Sequence, residues 1–182
     1  MGSRFGYLGG FHITLLLSRV FLRFPAAERH SVTASQIVSA FFHEYASFNW
    51  EGDIAAVDLP GSTIPSSAST YRRTANREPM VILSIEKPAI NVTAHASQHS
   101  MMTISREFAK ANERLSAGVP WTEVVGTSDV GVQDFLDGFK LFVKIEVSYW
   151  GSSCMKGRAL EGWLESRFIS VSLLHEGTFT PN

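Results

Sequence analysis

Apolar residues recur on nearly every face of the stretch from Phe11 to Phe24, with Arg19 and Arg23 one turn apart. That spacing predicts a helix, and a helix apolar on most faces is expected to be buried. Gly9-Gly10 opens it and Pro25 stops it. Ile37, Val38, Phe41, Phe42 and Tyr45 repeat at helical spacing. They predict a second helix, capped by Ser31 or Thr33 and fading near Phe48. Two helices joined by a short Pro-containing turn form an αα-hairpin.

The pattern changes over residues 58–78. Gly61 to Thr70 is turn-rich and short of large apolar residues, and it predicts an exposed, flexible connection. Tyr71-Arg72-Arg73 and Arg77 follow it. Met80 to Ile85 then reads as extended chain stopped by Pro88. A third helix is expected from Ser97 to Leu115, with Met101, Ile104, Phe108 and Leu115 near one face and Gly118 closing it. Trp121 to Val125 predicts a short helix after Pro120. Phe139, Leu141, Val143, Ile145, Val147 and Tyr149 alternate with polar residues, the clearest strand signal in the chain. Gly151 to Ser153 is a turn, and a last helix is expected from about Met155 to Leu174. No internal repeat is visible.

Composition narrows the function classes. The chain has 182 residues, 45% of them hydrophobic, enough for one ordinary domain or two small ones with a real core. The net charge is −1, and basic and acidic side chains balance both in residues 1–60 and in the remainder. Nucleic-acid binding would therefore depend on the arrangement of charge, not on its total. The single cysteine, Cys154, excludes an intramolecular disulfide and any zinc site built from paired cysteines. A reducing compartment is the natural reading. The Leu8–Phe24 run is interrupted by His12, Arg19 and Arg23 and is too short to span a bilayer, so no membrane partner is expected.

Candidate chemistry is sparse. His95 and His99 are four apart, which would put them on one face of a helix, but no third ligand is close in sequence. No metal site is expected. Cys154 lies beside Lys156 and Arg158, yet no base is identifiable for it. Asp134 and Asp137 are three apart, whereas two metal-binding carboxylates on one face of a strand must be an even number apart. They read as loop acids. The chain has no Gly-x-Ser-x-Gly elbow, no phosphate loop and no Gly-x-Gly-x-x-Gly. Gly9-Gly10 before a helix has one physical use: free N–H groups at a helix start attract phosphate, and glycines let a ligand approach.

Taken in order, these residues are similar to the eukaryotic poly(A) polymerase family. Phe5-Gly6-Tyr7-Leu8-Gly9-Gly10-Phe11 followed by Leu15 to Val20 resembles that family's Gly-Phe-Leu-Gly-Gly-Val segment and the helix it enters. Phe24-Pro25 matches its Tyr-Pro turn. Phe41-Phe42 and Phe48-Asn49-Trp50 match its Phe-Phe helix and terminal Trp. Met80 to Leu83, Pro88, Asn91 and Thr93 follow its Met-Pro-Ile-Ile, Tyr-Pro and Asn-Ser-Thr segment. Arg106-Glu107-Phe108, Trp121, Phe139-Lys140 and Gly162 to Arg167 match later landmarks. The likeness covers nearly the whole chain in collinear order. Phe11 stands where the family has a small valine, and His12-Ile13 where it has a small residue and Trp.

The resemblance implies an α+β chain in two parts. Residues 1–93 would be part of a helical central domain, with 58–78 a flexible connection. Residues 94–182 would begin a truncated, ferredoxin-like RNA-binding domain. In the intact family, ATP and Mg serve adenylyl transfer to an RNA 3′-hydroxyl in the nucleus. The family's catalytic aspartates lie upstream of the Gly-Gly segment, so no catalytic residue is expected here, and neither cofactor is expected to bind tightly to this chain alone. Gly9, Gly10 and Phe11 would remain as nucleotide contacts. Lys140 and Lys144, sharing the polar face of the expected strand, and Arg158 are candidate RNA-phosphate contacts, against the alternative that they are solvated charges. The expected partner is the poly(A) 3′ end of RNA, bound weakly, and not DNA. Two alternatives stay open. One is a non-catalytic module that binds RNA 3′-end processing proteins. The other is a partial product with no independent role, its apolar surface exposed around Tyr7, Leu8 and Phe11.

Overall fold

The computed structural model describes residues 6–58, 67–74, 77–124, 133, 136–138, 146, 148, 150, 151 and 153–174, with side chains described as far as 164. The chain divides into two compact units, Met1–Val125 and Gly126–Asn182. The first unit therefore runs past the 93/94 boundary that the resemblance implies.

Helix α1 spans Gly10–Arg23. Only one of its faces is fully buried, through His12, Leu15, Leu16 and Val20, while Leu17, Phe21 and Leu22 are half-buried and Phe11 is exposed. The all-round apolar pattern thus overstates its burial. Pro25 ends the helix, and Arg29 satisfies its open carbonyls by donating to Leu22 O and Phe24 O. A short 3₁₀ turn, Arg29–Ser31, leads to helix α2, Ala34–Ala46. Of the two expected caps, Thr33 is the one used: its Oγ1 accepts from Gln36 N–H, and Gln36 Oε1 accepts from Thr33 N–H.

Helix α3 is a single turn, Ser67–Thr70. Helix α4 spans Gln98–Ser116 and buries Ser100, Met101, Ile104 and Phe108. Ser97 and Ser100 cap its start reciprocally, at 3.1 and 2.9 Å. Its end carries paired bonds from Gly118 N–H to Leu115 O and from Val119 N–H to Arg114 O. Gly118 sits there at φ +77°, the left-handed geometry this helix ending requires. Helix α5, Trp121–Val124, follows Pro120.

Helices α1, α2 and α4 enclose the main core with Trp50, Ala55, Met80 and Ile82. Its centre is aromatic. The Phe41 ring meets Phe42, Tyr45 and Phe108 edge-on at 5.0–5.2 Å, and Tyr45 stacks on Trp50 at 5.5 Å. Edge-to-face contacts of this kind suit the ring quadrupole. The indole N–H of Trp50 is buried and has no hydrogen-bond acceptor.

The expectation of an α+β fold is not met among the described residues, which are helical and hold no β-strand. Two isolated bridges take a strand's place, Ala55 with Ile82 and Leu83 with Asn91. Residues Met80 to Leu83 are extended and fully buried, as the apolar run predicts. They find only one residue to pair with on each side. Ala55 N–H bonds Val81 O, Leu83 N–H bonds Ala55 O, and Val92 N–H bonds Ile82 O. The chain then bends at 85–88, so pairing cannot extend into a ladder. A ferredoxin-like domain starting near residue 94 is likewise not what the structure has: α4 packs on α2 in the helical core. The strand expected over 139–149 lies outside the described residues apart from scattered positions. In the second unit the long described element is helix α6, Cys154–Leu174, close to the expected bounds.

Candidate nucleotide-contacting site

The start of α1 is built from Gly9 outward. Gly9 is the N-cap, in extended conformation. The first intrahelical bond runs from Ile13 N–H to Gly9 O at 3.1 Å, so the N–H groups of Gly10, Phe11 and His12 have no intrahelical acceptor. No acidic residue lies in the first turn to neutralise them. A Cβ built at Gly10 meets nothing within 4 Å, so the surface at Gly10 itself is open. Phe11 is 61% exposed and Tyr7 38% exposed beside them. At the start of α1, Gly9 is half-buried and Gly10 and Phe11 are exposed.

His12 holds this helix start in place, a role the sequence did not signal. Gly9 N–H donates to His12 Nδ1 at 2.8 Å, and His12 Nε2 lies 3.0 Å from Val92 O. A ring nitrogen that accepts from an amide leaves the proton on the other nitrogen, so Nε2 donates to the carbonyl. The imidazole therefore ties the Gly-Gly turn to a segment 80 residues away. On the same side, Gly6 packs against His95 O and Ser100 at the start of α4.

Arg19 and Arg23 share one partner on α2, Glu44. Glu44 Oε1 accepts from Arg19 Nη1 and from Arg23 Nη1, the latter at 2.9 Å. Arg19 also lies over the Phe48 ring at 5.3 Å and donates to Tyr45 OH, which donates to Leu16 O. Burial works against the Arg19 charge, but the Tyr45 phenol and the Glu44 carboxylate outweigh it and raise its pKa. Burial pushes the Tyr45 phenol up to about 12, with Arg19 pulling the other way. These ion pairs fasten α1 to α2; Arg19 is largely buried in its pair, while the Arg23 side chain stays 60% exposed. An open groove of about 450 Å³ runs beside them, with Val20, Phe24, Pro25 and Ala40 as its apolar wall and Arg23, His43 and Glu44 at its rim.

Arg73 is spent in a similar way. Its guanidinium donates to the carbonyls of Trp50, Glu51, Glu78 and Pro79 at 2.5–2.9 Å, which pins the turn after α2 to the buried extended segment. Glu78 in turn accepts from Tyr71 OH, Thr74 N–H and Asn91 Nδ2. Burial opposes the Glu78 charge, yet those three donors and the nearby Arg73 lower its pKa. Asn91 Oδ1 accepts from Thr93 N–H at 2.9 Å, and Thr93 Oγ1 lies 3.0 Å from Met80 O. The Asn91…Thr93 landmark is thus a satisfied polar knot in the core wall.

The remaining candidates are not gathered here. Lys140 and Lys144 lie outside the described residues. Arg158 is exposed on α6. His99 is in the first turn of α4 but His95 lies before its cap, so the pair does not share a helix as its spacing suggested. Among the described residues no group of three or more His, Cys, Asp or Glu is placed to hold a metal ion, and no helix is long and apolar enough to cross a membrane. Asp137 accepts from Gln133 Nε2 at 2.8 Å, in a short helical stretch and not a loop, and Asp134 is outside the described residues. Cys154 is a free, exposed thiol at the start of α6. Compared with protein-family models, curated proteins and solved structures, the chain matches none.

Proposed function

We propose that the chain is a poly(A) polymerase-like module that contacts a nucleotide or an RNA 3′ end through the start of α1 and does not perform adenylyl transfer by itself. One observation carries the reading: a Gly-Gly turn opens a helix whose first N–H groups have no intrahelical acceptor, with free space around Gly10, no acid in the first turn, and Phe11 and Tyr7 exposed beside it. The ordered landmarks from Phe5 to Arg167 supply the family. ATP and Mg belong to the intact family reaction, and the residues here that resemble it include no metal-binding carboxylates. Nuclear RNA 3′-end metabolism is the setting that goes with this reading.

The test is equilibrium binding of ATP and of oligo(A) to the whole chain and to Gly10→Glu. The substitution fits the open space, and a carboxylate at the first helical position suits the helix dipole, so the fold is retained. The same carboxylate repels phosphate. We expect affinity for both ligands to fall about tenfold, with an unchanged or higher Tm. Oligo(A) binding should also weaken steeply with salt. Equal affinity in the two proteins would overturn the reading.

A second reading, a non-catalytic module for 3′-end processing proteins, is favoured by Trp150 and Met155, which are 95% and 83% exposed in the second unit. It predicts no RNA binding in the same assay.

A further inference from the structure

Cavities flank the packed segments of the first unit, and three of them differ in how their cations are matched. The groove beside α1 and α2 holds Arg23, but Glu44 is in its wall and pairs with it. A cavity of about 270 Å³ holds Arg19 and Arg23 with Asp58 in its wall. The third, of about 330 Å³, lies between α3 and the bend at 85–88. Arg72 and Lys87 line it, and among the described residues no carboxylate does. Its other lining includes the Ser67 residue, the Tyr71 ring and Pro88.

The neighbouring carboxylate and guanidinium are engaged outside this wall. Glu78 is held by Tyr71 OH, Thr74 N–H and Asn91 Nδ2. The Arg73 fork is used up on backbone carbonyls. Glu86 precedes Lys87 in sequence but is not part of the wall. Among the described residues, Arg72 and Lys87 have no ion pair and no side-chain hydrogen bond. Two like charges in one concave wall repel each other, and the low-polarity surface of Tyr71 and Pro88 screens them less than bulk water does. An anion between them relieves that repulsion. Arginine supplies a planar fork for phosphate oxygens, and lysine a point charge. The volume lies at the small end of ligand pockets, which suits one nucleotide-sized molecule.

We infer that this pocket binds a phosphate group, carried by a ligand the size of a mononucleotide, with Arg72 and Lys87 as its charged contacts. The site is separate from the start of α1 and does not rest on the reading given for that surface.

The experiment measures binding of inorganic phosphate, AMP and adenosine to the whole chain by titration calorimetry. The comparison proteins are the Arg72→Gln/Lys87→Gln double variant, each single variant, and Gly10→Glu. Both side chains are exposed, so the variants should keep the parent Tm, and the singles serve if the double variant does not fold. We expect phosphate and AMP to bind the parent chain and adenosine not to. The double variant should lose at least about tenfold in affinity for both at this pocket, each single variant less, and the same losses should appear when the substitutions are made in the Gly10→Glu background, where the α1 contact is already weakened. Tighter AMP than phosphate would assign the apolar wall to the nucleoside, and equal affinities would assign the site to the phosphate alone. Either result supports phosphate recognition. The inference is overturned if the parent binds neither anion, if adenosine binds as well as AMP, or if the variants bind like the parent. A loss confined to Gly10→Glu would sink this site and leave the α1 reading standing.

Discussion

Tyr45 and Tyr71 are both held as neutral phenols, for related reasons. Burial raises each to about 12 from an ordinary 10, and at Tyr71 the hydrogen bond to Glu78 adds to it. In the unfolded chain these phenols ionise near 10, while in the folded chain they keep their protons to higher pH. Their contribution is therefore complete below pH 10 and is lost as pH rises from 10 to 12. For the fully buried Tyr45 the shift corresponds to about 2–3 kcal/mol. Glu78 acts at the other end of the scale. Its folded pKa lies below the ordinary 4.5, so its contribution is present above that value and is lost as pH falls through the folded one. Urea unfolding across pH should show both flanks, with the alkaline fall shallower in Tyr45→Phe and the acid fall shallower in Glu78→Gln. A stability profile flat from pH 10 to 12 would contradict the burial of Tyr45. None of these pairings is legible in sequence. Tyr71 and Glu78 are seven apart in an irregular segment, and Arg73 bonds carbonyls that every residue carries.

At the scale of the element, the helix ends were the most readable feature. Thr33 and Ser97 stand directly before apolar-periodic runs, and Gly118 stands just after one, so local hydrogen bonding decides all three. The extended run at Met80 was readable too, but not its lack of a sheet, because pairing depends on what lies beside it. Two glycines in the first turn region separate local from tertiary demands. Gly6 is at φ +77°, and a Cβ there would lie 2.6 Å from His95 O. Gly10 is at the helix start with free space around it. Gly6→Ala should cost at least about 2 kcal/mol, through backbone strain and the clash. Gly10→Ala should be neutral or stabilise by up to about 1 kcal/mol. Chemical denaturation of the two variants checks this, and equal effects would mean the Gly6 segment is not packed on α4.

At the scale of the molecule, the buried core seen among the described residues lies in the first unit. Its residues run from Leu15 to Phe108, and the aromatic contacts from Phe41 to Trp50 and Phe108 close within it. A chain ending at Val125 should therefore fold and keep the thermal midpoint of the first unit, within about 3 °C. Thermal unfolding followed by near-ultraviolet circular dichroism reads this directly, since the aromatic cluster supplies the signal. A fragment without a cooperative transition would show that residues 126–182 are needed to complete the core.

What the sequence alone determined here is what lies within one turn or one period: the positions of α1, α2, α4, α5 and α6, the Gly118 ending of α4, the buried faces of α2 and α4, and the Gly-Gly opening of α1, but not the single turn of α3. These depend on neighbours three or four residues apart, and the chain carries that information directly. Only the tertiary structure decided which charges are spent and which are free. Arg19, Arg23 and Arg73 read like Arg72 and Lys87 until the fold sets Glu44 and a row of carbonyls against the first three. It also decided that α4 packs on α2 in place of starting a sheet, and that His12 reaches Val92. Such outcomes depend on which distant segments the hydrophobic core brings into hydrogen-bonding range, and no local pattern encodes that.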